Sequence, residues 1–451
     1  MEKFDLIVIG AGSGLEVMSA ASSRGMKVAL VEEGPMGGTC LNRGCIPTKI
    51  LIHTADIVQT IKRSKEFGID AKLGKIAYNS IMHRAMDEVD SEAKEIEESI
   101  RKAQGIKLFK ARGRFIGPKT IKAGDTEITA DKIVIAAGTR SAIPEIPGLG
   151  KVPYMASDQA LRLDSLPKEL VILGGGYIAV ELAHFFGSMG SSIHILQRNV
   201  KLVRHEDEEI SAKFAELLSK QYDVRLGYGI KSIEKKGKQI IVHGADGSVV
   251  SGTHLLVATG RVPNTDILET AKAGIKANPQ GYIETNEFME TNVPGIWALG
   301  DIAGKFLFKH SANLEAEYVT HNVLGSEAHH KVAVDYTAMP HAIFSYPQIA
   351  GVGATEQELK AKGEDYLVGK CKYEDTGMGL AMLEKDGFVK FLANYDGKIL
   401  GCHIIGPEAA TLLHEVLISM KAGKSHVNDI LNTIHIHPAL NEVVQRAAGE
   451  V

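Results

Sequence analysis

Short apolar runs that end in glycine, each followed by a segment of helical length, recur along the chain. The first run covers residues 4–9 (FDLIVI), and the next covers residues 27–32 (KVALVE). Gly10, Gly12 and Gly14 open the segment between them. Because glycines allow a strand to turn tightly into a helix, this order predicts a βαβ motif at the start of the chain.

The same order returns at residues 169–173 (ELVIL). This run leads into Gly174 and Gly176, a predicted helix to about Phe186 and a second apolar strand at residues 192–196 (SIHIL). The repeat of one supersecondary motif predicts two Rossmann-like, dinucleotide-binding domains.

Further apolar runs extend this pattern. Strands that end in a glycine turn are predicted at residues 133–138 (IVIAAG), 255–260 (LLVATG) and 296–301 (IWALGD). Residues 88–104 are dense in Glu and Lys and predict a charged, exposed helix.

After about residue 335 the pattern becomes that of an antiparallel α+β domain. Strands are predicted over Phe344–Val352, Gly387–Ala393 and Ile399–Ile405, and helices over 408–422 and 438–448. The dipeptide Asp396-Gly397 is typical of a hairpin turn. The expected fold class is α/β, with domain boundaries near residues 150, 265 and 335.

Composition narrows the class of protein. The 451 residues carry 51 Lys plus Arg and 55 Asp plus Glu, a net charge of −4, which argues against a nucleic-acid or anionic-membrane partner. No apolar run reaches the roughly 18 residues that a membrane span needs. Because the N-terminus leads directly into a strand pattern rather than a signal peptide, we expect a cytoplasmic enzyme. In that reducing compartment, a disulfide among the four cysteines would be catalytic rather than structural.

The first glycine cluster has the chemistry of a phosphate-binding turn. Glycines let the backbone approach a pyrophosphate at a helix N-terminus, whose N–H groups and dipole favour anions. Glu32, at the end of the second strand, is placed to bind the hydroxyls of an adenosine ribose. Leu15 stands where a third glycine is usual, so a slightly wider contact between strand and helix is expected. A tight turn without a ligand is the alternative.

Two cysteines lie five residues apart in the run Gly37-Gly-Thr-Cys40-Leu-Asn-Arg-Gly-Cys45-Ile-Pro-Thr-Lys49. This spacing differs from that of zinc knuckles and thioredoxin motifs. On an ideal helix the pair would be about 140° apart, so a disulfide requires an irregular first turn, which Gly44 and Pro47 could supply. A helix N-terminus also lowers the pKa of a thiol. The alternative, two buried structural cysteines, gives no reason for the surrounding Gly-Gly-Thr and Pro-Thr-Lys.

The run GGTCLNRGCIPTK between two dinucleotide-type motifs resembles the redox motif of the pyridine-nucleotide disulfide oxidoreductases, and the resemblance extends over essentially the whole chain. It implies a redox disulfide in which Cys40 exchanges with substrate and Cys45 lies against a flavin. It also implies that Lys49 lies near the flavin N5 and pairs with Glu181. The implied domains are FAD-binding over 1–150, NAD(P)-binding over 151–265, a segment at 266–335 that completes the FAD-binding domain, and dimerisation over 336–451.

The same resemblance implies one FAD per subunit and NAD(P)(H) as co-substrate. The residues expected to bind FAD are Gly10, Gly12, Gly14, Glu32, Gly38, Thr39, Lys49, Gly113, Ala137, Gly138, Asp301, Leu307 and His310. Those expected to bind NAD(P)(H) are Gly174, Gly176, Tyr177, Ile178, Glu181, Arg198, Arg204 and Gly260. No metal site is expected.

The C-terminal stretch from Ile434 to Glu442 (IHIHPALNE) supplies an acid–base candidate. Thiol exchange needs a proton acceptor near neutral pH, which histidine provides, and a carboxylate can orient the ring. By resemblance His437 is that base, Glu442 orients it, and the base serves the disulfide of the other subunit, which implies an obligate homodimer. His435 is either a second functional imidazole or a packed residue. The remaining cysteines lie outside any motif and are expected to be inert: Cys371 and Cys402.

The end of the second strand of the NAD(P) motif bears on coenzyme choice. Sites specific for NAD place a carboxylate there, whereas arginines accommodate the 2′-phosphate of NADP. This chain has Gln197, followed by Arg198 and Arg204, which favours NADP(H). Two exposed arginines without a ligand are the alternative.

Other residues divide between subgroups of the family. Residues 307–313 (LFKHSAN) are similar to dihydrolipoamide dehydrogenases and mycothione reductases, and Ala20 replaces the arginine that a glutathione reductase offers its substrate. The His435-Ile-His437-Pro438 stretch is similar to dihydrolipoamide dehydrogenases. The C-terminal tail has no cysteine pair of the mercuric reductase kind.

The function expected first is a dihydrolipoyl dehydrogenase type of FAD-dependent disulfide oxidoreductase that acts on a small dithiol. A 2-oxoacid dehydrogenase complex is then a candidate partner. The alternative is an NADPH-dependent reductase of a low-molecular-weight disulfide, similar to mycothione reductase. A non-catalytic, flavin-bound subunit is disfavoured by the cysteine pair.

Overall fold

The computed structural model of the chain describes residues 1–325 and 330–451. The chain divides into two compact units. The first unit comprises Met1–Ile50, Ser80–Ala142 and Gly260–Asp335, and the second comprises Leu51–Asn79, Ile143–Thr259 and Tyr336–Val451. Each unit contains one of the two predicted βαβ motifs, which confirms the expected α/β class. The domain boundaries near residues 150, 265 and 335 stay a prediction.

The strands of the described residues follow the apolar runs of the sequence. In chain order they are β1 (Glu2–Ile9), β2 (Val28–Val31), β3 (Ile106–Phe109), β4 (Gly113–Gly117), β5 (Thr120–Ala123), β6 (Thr126–Ile135), β7 (Thr139–Ser141), β8 (Glu169–Leu173), β9 (Ser192–Gln197), β10 (Asp223–Leu226), β11 (Ile230–Lys236), β12 (Gln239–Gly244), β13 (Val249–Gly252), β14 (His254–Val257), β15 (Arg261–Pro263), β16 (Ile296–Ala298), β17 (Pro340–Ile343), β18 (Ile349–Gly353), β19 (Leu367–Lys372), β20 (Phe388–Ala393) and β21 (Ile399–Ile405).

The helices connect these strands or cover their sheets. In chain order they are α1 (Gly14–Ser23), α2 (Gly38–Arg43), α3 (Cys45–Arg63), α4 (Tyr78–Lys102), α5 (Ser157–Ala160), α6 (Tyr177–Met189), α7 (Glu208–Gln221), α8 (Lys309–Leu324), α9 (Glu356–Lys362), α10 (Gly377–Ala381), α11 (Ala409–Ala422), α12 (Val427–Leu431) and α13 (Glu442–Gly449). Short 3₁₀ helices lie at Ser64–Phe67, Leu149–Lys151, Thr270–Ala273, Gly300–Ile302 and Tyr373–Asp375.

The first unit is built on a sheet in the order β3-β2-β1-β6-β5-β4, with β16 also paired to β6. Strand β1 runs parallel to β2 and β6, and α1 connects β1 to β2, so the predicted βαβ motif is confirmed. The second half of β1 and all of β2 are buried, as expected for parallel strands that are covered on both faces.

The contact between α1 and β1 corrects the expectation drawn from Leu15. An ideal Cβ on Gly14 would lie 2.9 Å from Val8 Cγ1 and 3.0 Å from Ala136 Cβ. Gly14 therefore supplies the close approach of helix to strand that a third glycine usually provides. Leu15 is half-buried against the edge of the core, and no wider contact is needed.

The second βαβ motif consists of β8, α6 and β9, and its parallel sheet has the order β10-β9-β8-β14. Strand β8 has the predicted bounds. Helix α6 continues past the predicted end at Phe186 to Met189, and Gly190, with φ +116°, ends it. Strands β11, β12 and β13 form a separate antiparallel sheet in the same unit.

Three strands end earlier than the apolar runs from which they were predicted. Strands β6, β14 and β16 all end before the glycine that closes each run. Those glycines, Gly138, Gly260 and Gly300, have φ of +62°, +128° and +71°. A strand requires a negative φ, so the glycine turn has to begin outside the ladder.

The C-terminal part of the second unit is an antiparallel sheet in the order β17-β18-β21-β20-β19, packed against α11 and α13. The hairpin predicted at Asp396-Gly397 joins β20 to β21. The strand predicted over Phe344–Val352 is correct only in its second half, because β18 begins at Ile349 and residues 344–348 connect β17 to β18. Pro347 in this connection lacks the N–H that a continuous strand would use. Helix α13 begins at Glu442 rather than at residue 438.

Helix α4 is longer and less exposed than expected. It begins at Tyr78 rather than at residue 88, and Val89, Ala93 and Ile100 are buried along one face. The charged residues occupy the other face, as in an amphipathic helix. Across the described ranges, no helix is long and apolar enough to cross a bilayer.

Candidate redox and coenzyme sites

The two cysteines of the redox motif lie on either side of a break between two helices. Cys40 is in the middle of α2, and Cys45 is the first residue of α3. Between them Gly44 has φ −144° and ψ −119°, and an ideal Cβ there would lie 2.8 Å from the Thr39 carbonyl oxygen. Thr48 closes the turn by donating its N–H and its hydroxyl to the Gly44 carbonyl, at 3.1 and 2.6 Å. This break is the irregular turn that the cysteine spacing requires.

Cys40 and Cys45 form a hydrogen-bonded pair of thiols. Cys40 is half-buried and Cys45 is exposed. The hydrogen bond with Cys45, together with burial, raises the pKa of the Cys40 thiol, and the ammonium group of Lys309 opposes this rise. Cys40 therefore holds its proton at neutral pH. Nucleophilic attack by Cys40 requires a proton acceptor, because the thiolate is the reactive form.

Lys309, the first residue of α8, is a neighbour of this pair that sequence reasoning missed. Its Nζ donates to Ser13 Oγ at 2.8 Å and to Asn313 Oδ1 at 2.6 Å, and Ser13 Oγ donates to the same Asn313 oxygen at 2.8 Å. The cluster links the first glycine turn to α8 and holds a positive charge near Cys40. The signal that could have found it was the family resemblance of residues 307–313.

In the glycine turn after β1, the backbone lies close against the start of α2. An ideal Cβ on Gly38 would lie 2.7 Å from the Gly12 Cα, so the two backbones pass each other with no side chain between them. Glu32 directly follows β2, and its carboxylate accepts hydrogen bonds from the N–H groups of Ala11, at 2.9 Å, and Gly34, at 2.6 Å. Each carboxylate oxygen keeps a further acceptor position for a ribose hydroxyl. These residues fit an FAD, and the placement of its phosphates at the turn and of its ribose at Glu32 stays a prediction.

Asp301 lies in the 3₁₀ helix that follows β16. Because β16, β6 and β1 are parallel, this residue is at the same edge of the sheet as the first glycine turn. Its Oδ2 accepts a hydrogen bond from Thr139 Oγ1 at 2.9 Å, and Arg261 Nε donates to that hydroxyl at 2.7 Å. Burial raises the pKa of Asp301, and the hydrogen bond from Thr139 acts against the rise. The contact of Asp301 with the FAD ribitol stays a prediction.

The other residues predicted to bind FAD make contacts of their own, and their part in binding stays a prediction. An ideal Cβ on Gly113 would lie 2.8 Å from Val31 Cγ1, so packing alone favours glycine in β4. The Ala137 carbonyl accepts a hydrogen bond from Asn264 Nδ2 at 2.8 Å. The His310 ring stacks on Phe308 with centroids 5.2 Å apart. Three more, Thr39, Gly138 and Leu307, lie in α2, after β6 and before α8.

The turn after β8 repeats the geometry of the first glycine turn. Gly174 has φ +119°, and an ideal Cβ there would lie 2.2 Å from the Ala258 carbonyl oxygen. Gly176 precedes α6, whose first two residues are Tyr177 and Ile178, so the N–H groups of a helix N-terminus lie at this turn. Gly260, with φ +128°, follows the neighbouring strand β14. This turn has the geometry of a phosphate-binding turn, and the binding of NAD(P)(H) by these residues stays a prediction.

The end of β9 carries the residues that bear on coenzyme choice. The side-chain amide of Gln197 donates to the Lys201 carbonyl at 3.1 Å. Arg198 and Arg204 are both exposed in the segment that follows. Arg204 Nε donates to the neighbouring imidazole of His205 at 3.1 Å. This segment therefore presents positive charge and no carboxylate directly after the strand.

Lys49 and Glu181 fall in different units, and their pairing stays a prediction. Lys49 is half-buried, about one helical turn beyond Cys45 in α3. Glu181 is buried in α6, and its Oε1 accepts a hydrogen bond from the Phe344 N–H at 2.9 Å. That bond links α6 to the connection between β17 and β18.

The predicted acid–base pair is brought together in the C-terminal part of the second unit. His437 Nδ1 and Glu442 Oε1 are 2.9 Å apart, and the hydrogen bond lowers the pKa of Glu442. The His437 side chain is 73% exposed, whereas Glu442 is buried. Ile434 and Ile436, just before it, are 97% and 79% exposed. Glu442 thus orients an imidazole that faces outward among apolar side chains.

His435 is a packed residue rather than a second outward-facing imidazole. Its side chain is almost fully buried, with Nε2 3.1 Å from Glu415 Oε2 and Nδ1 2.9 Å from the Thr433 carbonyl oxygen. Burial raises the pKa of Glu415, while the hydrogen bond to His435 opposes the rise. Sequence reasoning did not anticipate Glu415, which lies in α11, 20 residues before its partner.

The two cysteines outside the redox motif, Cys371 and Cys402, lie in the core of the C-terminal sheet. Burial raises the pKa of Cys371 to about 11 and that of Cys402 well above its usual range, so both are thiols at neutral pH. Within residues 1–325 and 330–451, no cluster of three or more His, Cys, Asp or Glu side chains is arranged to hold a metal ion.

Two family models match this chain. The model described as pyridine nucleotide-disulphide oxidoreductase matches residues 4–323, and that of the family's dimerisation domain matches residues 339–448. The chain belongs to the pyridine nucleotide-disulphide oxidoreductases. As a member of this family it is an FAD flavoprotein with NAD(P)(H) as co-substrate, a redox disulfide motif and a dimerisation domain.

Relatives of this oxidoreductase carry more than one name. Mycothione reductase of Mycobacterium tuberculosis (strain H37Rv) is 35% identical over 460 residues that cover 99% of each chain. Dihydrolipoyl dehydrogenase of Chlamydia muridarum is 33% identical and covers 99% of this chain and 96% of the relative. The solved structure of the HOCl-induced flavoprotein disulfide reductase RclA from Escherichia coli matches with a TM-score of 0.88 and 27% identity, over 99% of this chain and 100% of the other. The family and reaction class are confirmed.

Proposed function

We propose that this oxidoreductase uses NADPH to reduce a disulfide of low molecular weight, through FAD and the Cys40–Cys45 pair. The observation that carries the proposal is the end of β9, where Gln197 stands in place of a carboxylate and Arg198 and Arg204 are exposed. A charge-assisted contact between arginine and phosphate is worth about 1.5–3 kcal/mol, or roughly tenfold or more in affinity. The mycothione reductase relative supports a small disulfide as substrate.

A second candidate is the dihydrolipoyl dehydrogenase type that the sequence favoured first. The relative from Chlamydia muridarum and the His435-Ile-His437-Pro438 stretch support it. In that case electrons flow from a small dithiol to NAD, and a 2-oxoacid dehydrogenase complex is the candidate partner. Both candidates use the same thiols and differ in the direction of electron flow.

In the proposed relay the two cysteines have different tasks. The first glycine turn and Glu32 would hold FAD, which would supply the redox chemistry that carries an electron pair from NADPH to the Cys40–Cys45 disulfide. The Cys40 thiolate attacks one sulfur of the substrate disulfide, and one substrate thiolate leaves. The Cys45 thiolate then attacks the Cys40 sulfur of the mixed disulfide, which releases the second substrate thiolate and restores the Cys40–Cys45 bond. Two electrons and two protons reach the substrate in one cycle.

We assign the proton transfers of this relay to His437. Because the pKa of Cys40 is raised, its proton has to pass to a base before the attack, and the leaving thiolate has to take up a proton. His437 is exposed and oriented by Glu442, and the chain carries the family's dimerisation domain. These observations support a homodimer in which the imidazole of one subunit serves the thiols of the other.

Steady-state kinetics test the coenzyme and the direction. NADH and NADPH are compared as electron donors to lipoamide and several other small disulfides, and NAD and NADP as acceptors for electrons from dihydrolipoamide. NADPH-driven reduction of a disulfide is the expected outcome. Efficient turnover with dihydrolipoamide and NAD alone would replace this proposal with the second candidate.

Serine variants of the two thiols test the relay. Cys40→Ser should abolish disulfide reduction and leave the Cys45 thiolate beside oxidised flavin, which produces a long-wavelength charge-transfer band. Cys45→Ser should abolish turnover without that band. Cys371→Ser is a matched control outside the motif and should retain turnover. Normal disulfide reduction by Cys40→Ser would exclude the assignment.

Subunit mixing tests whether the base crosses the dimer interface. His437→Gln should lose turnover by roughly 10²–10⁴-fold, the usual contribution of a general acid–base group, and Glu442→Gln should lose less because it only orients the ring. Mixed dimers of Cys40→Ser with His437→Gln contain one intact site, so activity should return to about half per heterodimer. Each variant mixed with itself is the control. If verified heterodimers stay inactive, base and thiol belong to the same subunit.

A further inference from the structure

Lys390 is a charged residue in the middle of a buried, mostly apolar strand, β20. Its side chain is 1% exposed, and its Nζ lies 2.6 Å from Glu356 Oε2, 2.9 Å from Asp207 Oδ1 and 3.5 Å from Glu209 Oε2. The Asp207 side chain is completely buried. Burial alone would lower the pKa of Lys390, but its hydrogen bonds with Glu356 and Asp207 raise it, so the ammonium form is retained.

Stabilisation of the fold does not by itself explain why a buried strand contains a lysine. Taking charges out of water is costly, and the replacement of a buried ion pair by apolar residues is often neutral or stabilising. A buried ion pair does, however, hold its partners in one arrangement, because other arrangements leave a charge without a partner. What Lys390 holds is the end of the segment that connects β9 to α7.

That end is bonded to the C-terminal domain at several atoms. Asp207 accepts hydrogen bonds from the Glu356 N–H, at 3.1 Å, and from the Glu209 N–H, at 3.0 Å, the latter as the N-cap of α7. The Gln357 side chain donates to the Glu206 carbonyl at 2.9 Å. Residues 206–209 and the start of α9 therefore form one hydrogen-bonded cluster around the Lys390 ammonium group.

The middle of the segment between β9 and α7 contacts the glycine turn that follows β8. Val203 donates its N–H to the Gly175 carbonyl at 2.8 Å, and an ideal Cβ on Gly175 would lie 2.6 Å from Leu202 Cδ2. Val203 has φ +39°, a conformation that β-branched residues rarely adopt and that persists where surrounding contacts enforce it. Arg198 lies before this contact and Arg204 after it. Both arginines are thus in a segment whose path is set by the glycine turn and by the Lys390 cluster.

We propose that Lys390 is a positioning residue for the coenzyme: by holding Asp207 and Glu356 it fixes residues 198–207, so that Arg198 and Arg204 stay beside the second glycine turn. The inference rests on the proposed function, because it takes the 2′-phosphate of NADP(H) as the group that the arginines bind. Lys390 acts through the segment and does not touch the coenzyme. The C-terminal domain thereby contributes to coenzyme selection as well as to dimerisation.

The variants are chosen to separate positioning from loss of folding. Lys390→Met alone leaves Asp207 buried without its cation and is expected to destabilise the fold. The double variant Lys390→Met/Asp207→Asn removes both charges and keeps an amide oxygen to cap α7. Lys370→Met is the matched control, because Lys370 is opposite Lys390 across β19 and β20 and pairs with Glu209 at the surface. Flavin absorbance and thermal unfolding of each holoenzyme verify folding.

Kinetics of the folded variants measure the positioning. In the double variant the KM for NADPH and the Kd for 2′,5′-ADP should rise roughly tenfold, the loss of about one arginine–phosphate contact. The KM for NADH and kcat should stay close to the wild-type values, and Lys370→Met should resemble the wild type throughout. If Lys390 were only structural, the double variant would change the KM for NADPH and the KM for NADH alike. Where the wild type uses NADPH, that result overturns the proposal, and so does an unchanged KM for both coenzymes.

Amide hydrogen exchange separates this inference from the proposed function. Exchange in residues 198–207 should be faster in the double variant and unchanged in Lys370→Met, whichever coenzyme the wild type prefers. If the wild type uses only NADH while exchange still rises, the proposed NADPH function fails and the positioning role of Lys390 stands. Unchanged exchange in the double variant overturns the positioning role.

Discussion

Gly10 and Gly174 occupy matching places in the two βαβ motifs, and each lies against a carbonyl oxygen of a neighbouring strand end. An ideal Cβ on Gly10 would lie 2.3 Å from the Ala136 oxygen, and one on Gly174 would lie 2.2 Å from the Ala258 oxygen. Both glycines have positive φ, +102° and +119°. The chain therefore builds the same turn twice, on different sequences and in different sheets.

The motifs differ where their second strands end. In the first motif the Glu32 carboxylate accepts two backbone N–H bonds beside the turn, whereas in the second the Gln197 amide donates to a backbone carbonyl. Arginines then follow Gln197, and an acidic residue, Glu33, follows Glu32. We infer that the glycines set the backbone shape of each glycine turn. The polar residues after the second strand then determine which nucleotide each turn binds.

The largest effect should come from valine at the first glycine of either turn, because the positive φ and the nearby carbonyl both exclude a β-branched side chain. Gly10→Val should release FAD, seen as lost flavin absorbance after gel filtration. Gly174→Val should keep FAD but slow its reduction by NADPH by roughly a hundredfold or more, since small misplacements have effects of this size.

Gly237→Val is the control for these two variants, because Gly237 has φ +59° but no neighbouring atoms where the side chain would lie. It tests the strain of a positive φ without a clash. Loss of FAD from Gly10→Val and Gly174→Val alike would contradict separate tasks for the two turns.

An intermediate effect is expected when the carboxylate of the first motif is removed. Glu32→Gln keeps one acceptor oxygen but places an NH₂ group against a backbone N–H, and hydrogen bonds to charged groups contribute about 1.5–3 kcal/mol. FAD affinity, measured by flavin titration, should fall by roughly tenfold to a hundredfold. Glu33→Gln is the neighbouring control and should bind FAD normally. If the FAD affinity of Glu32→Gln were unchanged, the Glu32 carboxylate would not contribute to FAD binding.

The smallest effect belongs to the second motif. Arg198→Glu should raise the KM for NADPH by roughly tenfold and leave that for NADH nearly unchanged, because one charge-assisted phosphate contact is lost. Lys231→Glu makes the same charge change on the separate sheet of β11 and should alter neither. A wild type that ignores NADP(H) would show that Arg198 and Arg204 are surface charges.

The existence of elements bounded by glycine was predictable from the sequence, although β6, β14 and β16 end before the predicted residue. Strand β8 and the hairpin at Asp396-Gly397 were predicted correctly, because the apolar runs are short and the residues that end them act locally. The strand predicted over Phe344–Val352 began too early, because the large side chains of Phe344 and Tyr346 resemble a strand pattern although they lie in the connection between β17 and β18. The burial of Val89 and Ala93 in α4 was not predicted, because charged residues surround them in the sequence.

Contacts between residues that are far apart in the sequence could not be predicted from local sequence patterns. Asp207 and Lys390 are 183 residues apart, and each alone has the pattern of a surface charge. Glu415 was missed for the same reason, since it has no local motif. Lys309 lies in the run LFKHSAN, and the family resemblance of that run was not carried over to this residue. His437 and Glu442 were found because their spacing of five residues is local and the family resemblance gave it meaning.

If the outward-facing Ile434 and Ile436 lie in the dimer interface, the activity of this enzyme depends on dilution. Large apolar side chains this exposed favour association, because water is released when they are covered. If the partner's imidazole completes each site, mass action links turnover to subunit concentration. Below the dissociation constant of the dimer, activity per chain would fall in proportion to the monomer fraction while bound flavin stayed constant. The same apolar segment that brings the base to its neighbour would then set the lowest concentration at which the enzyme works.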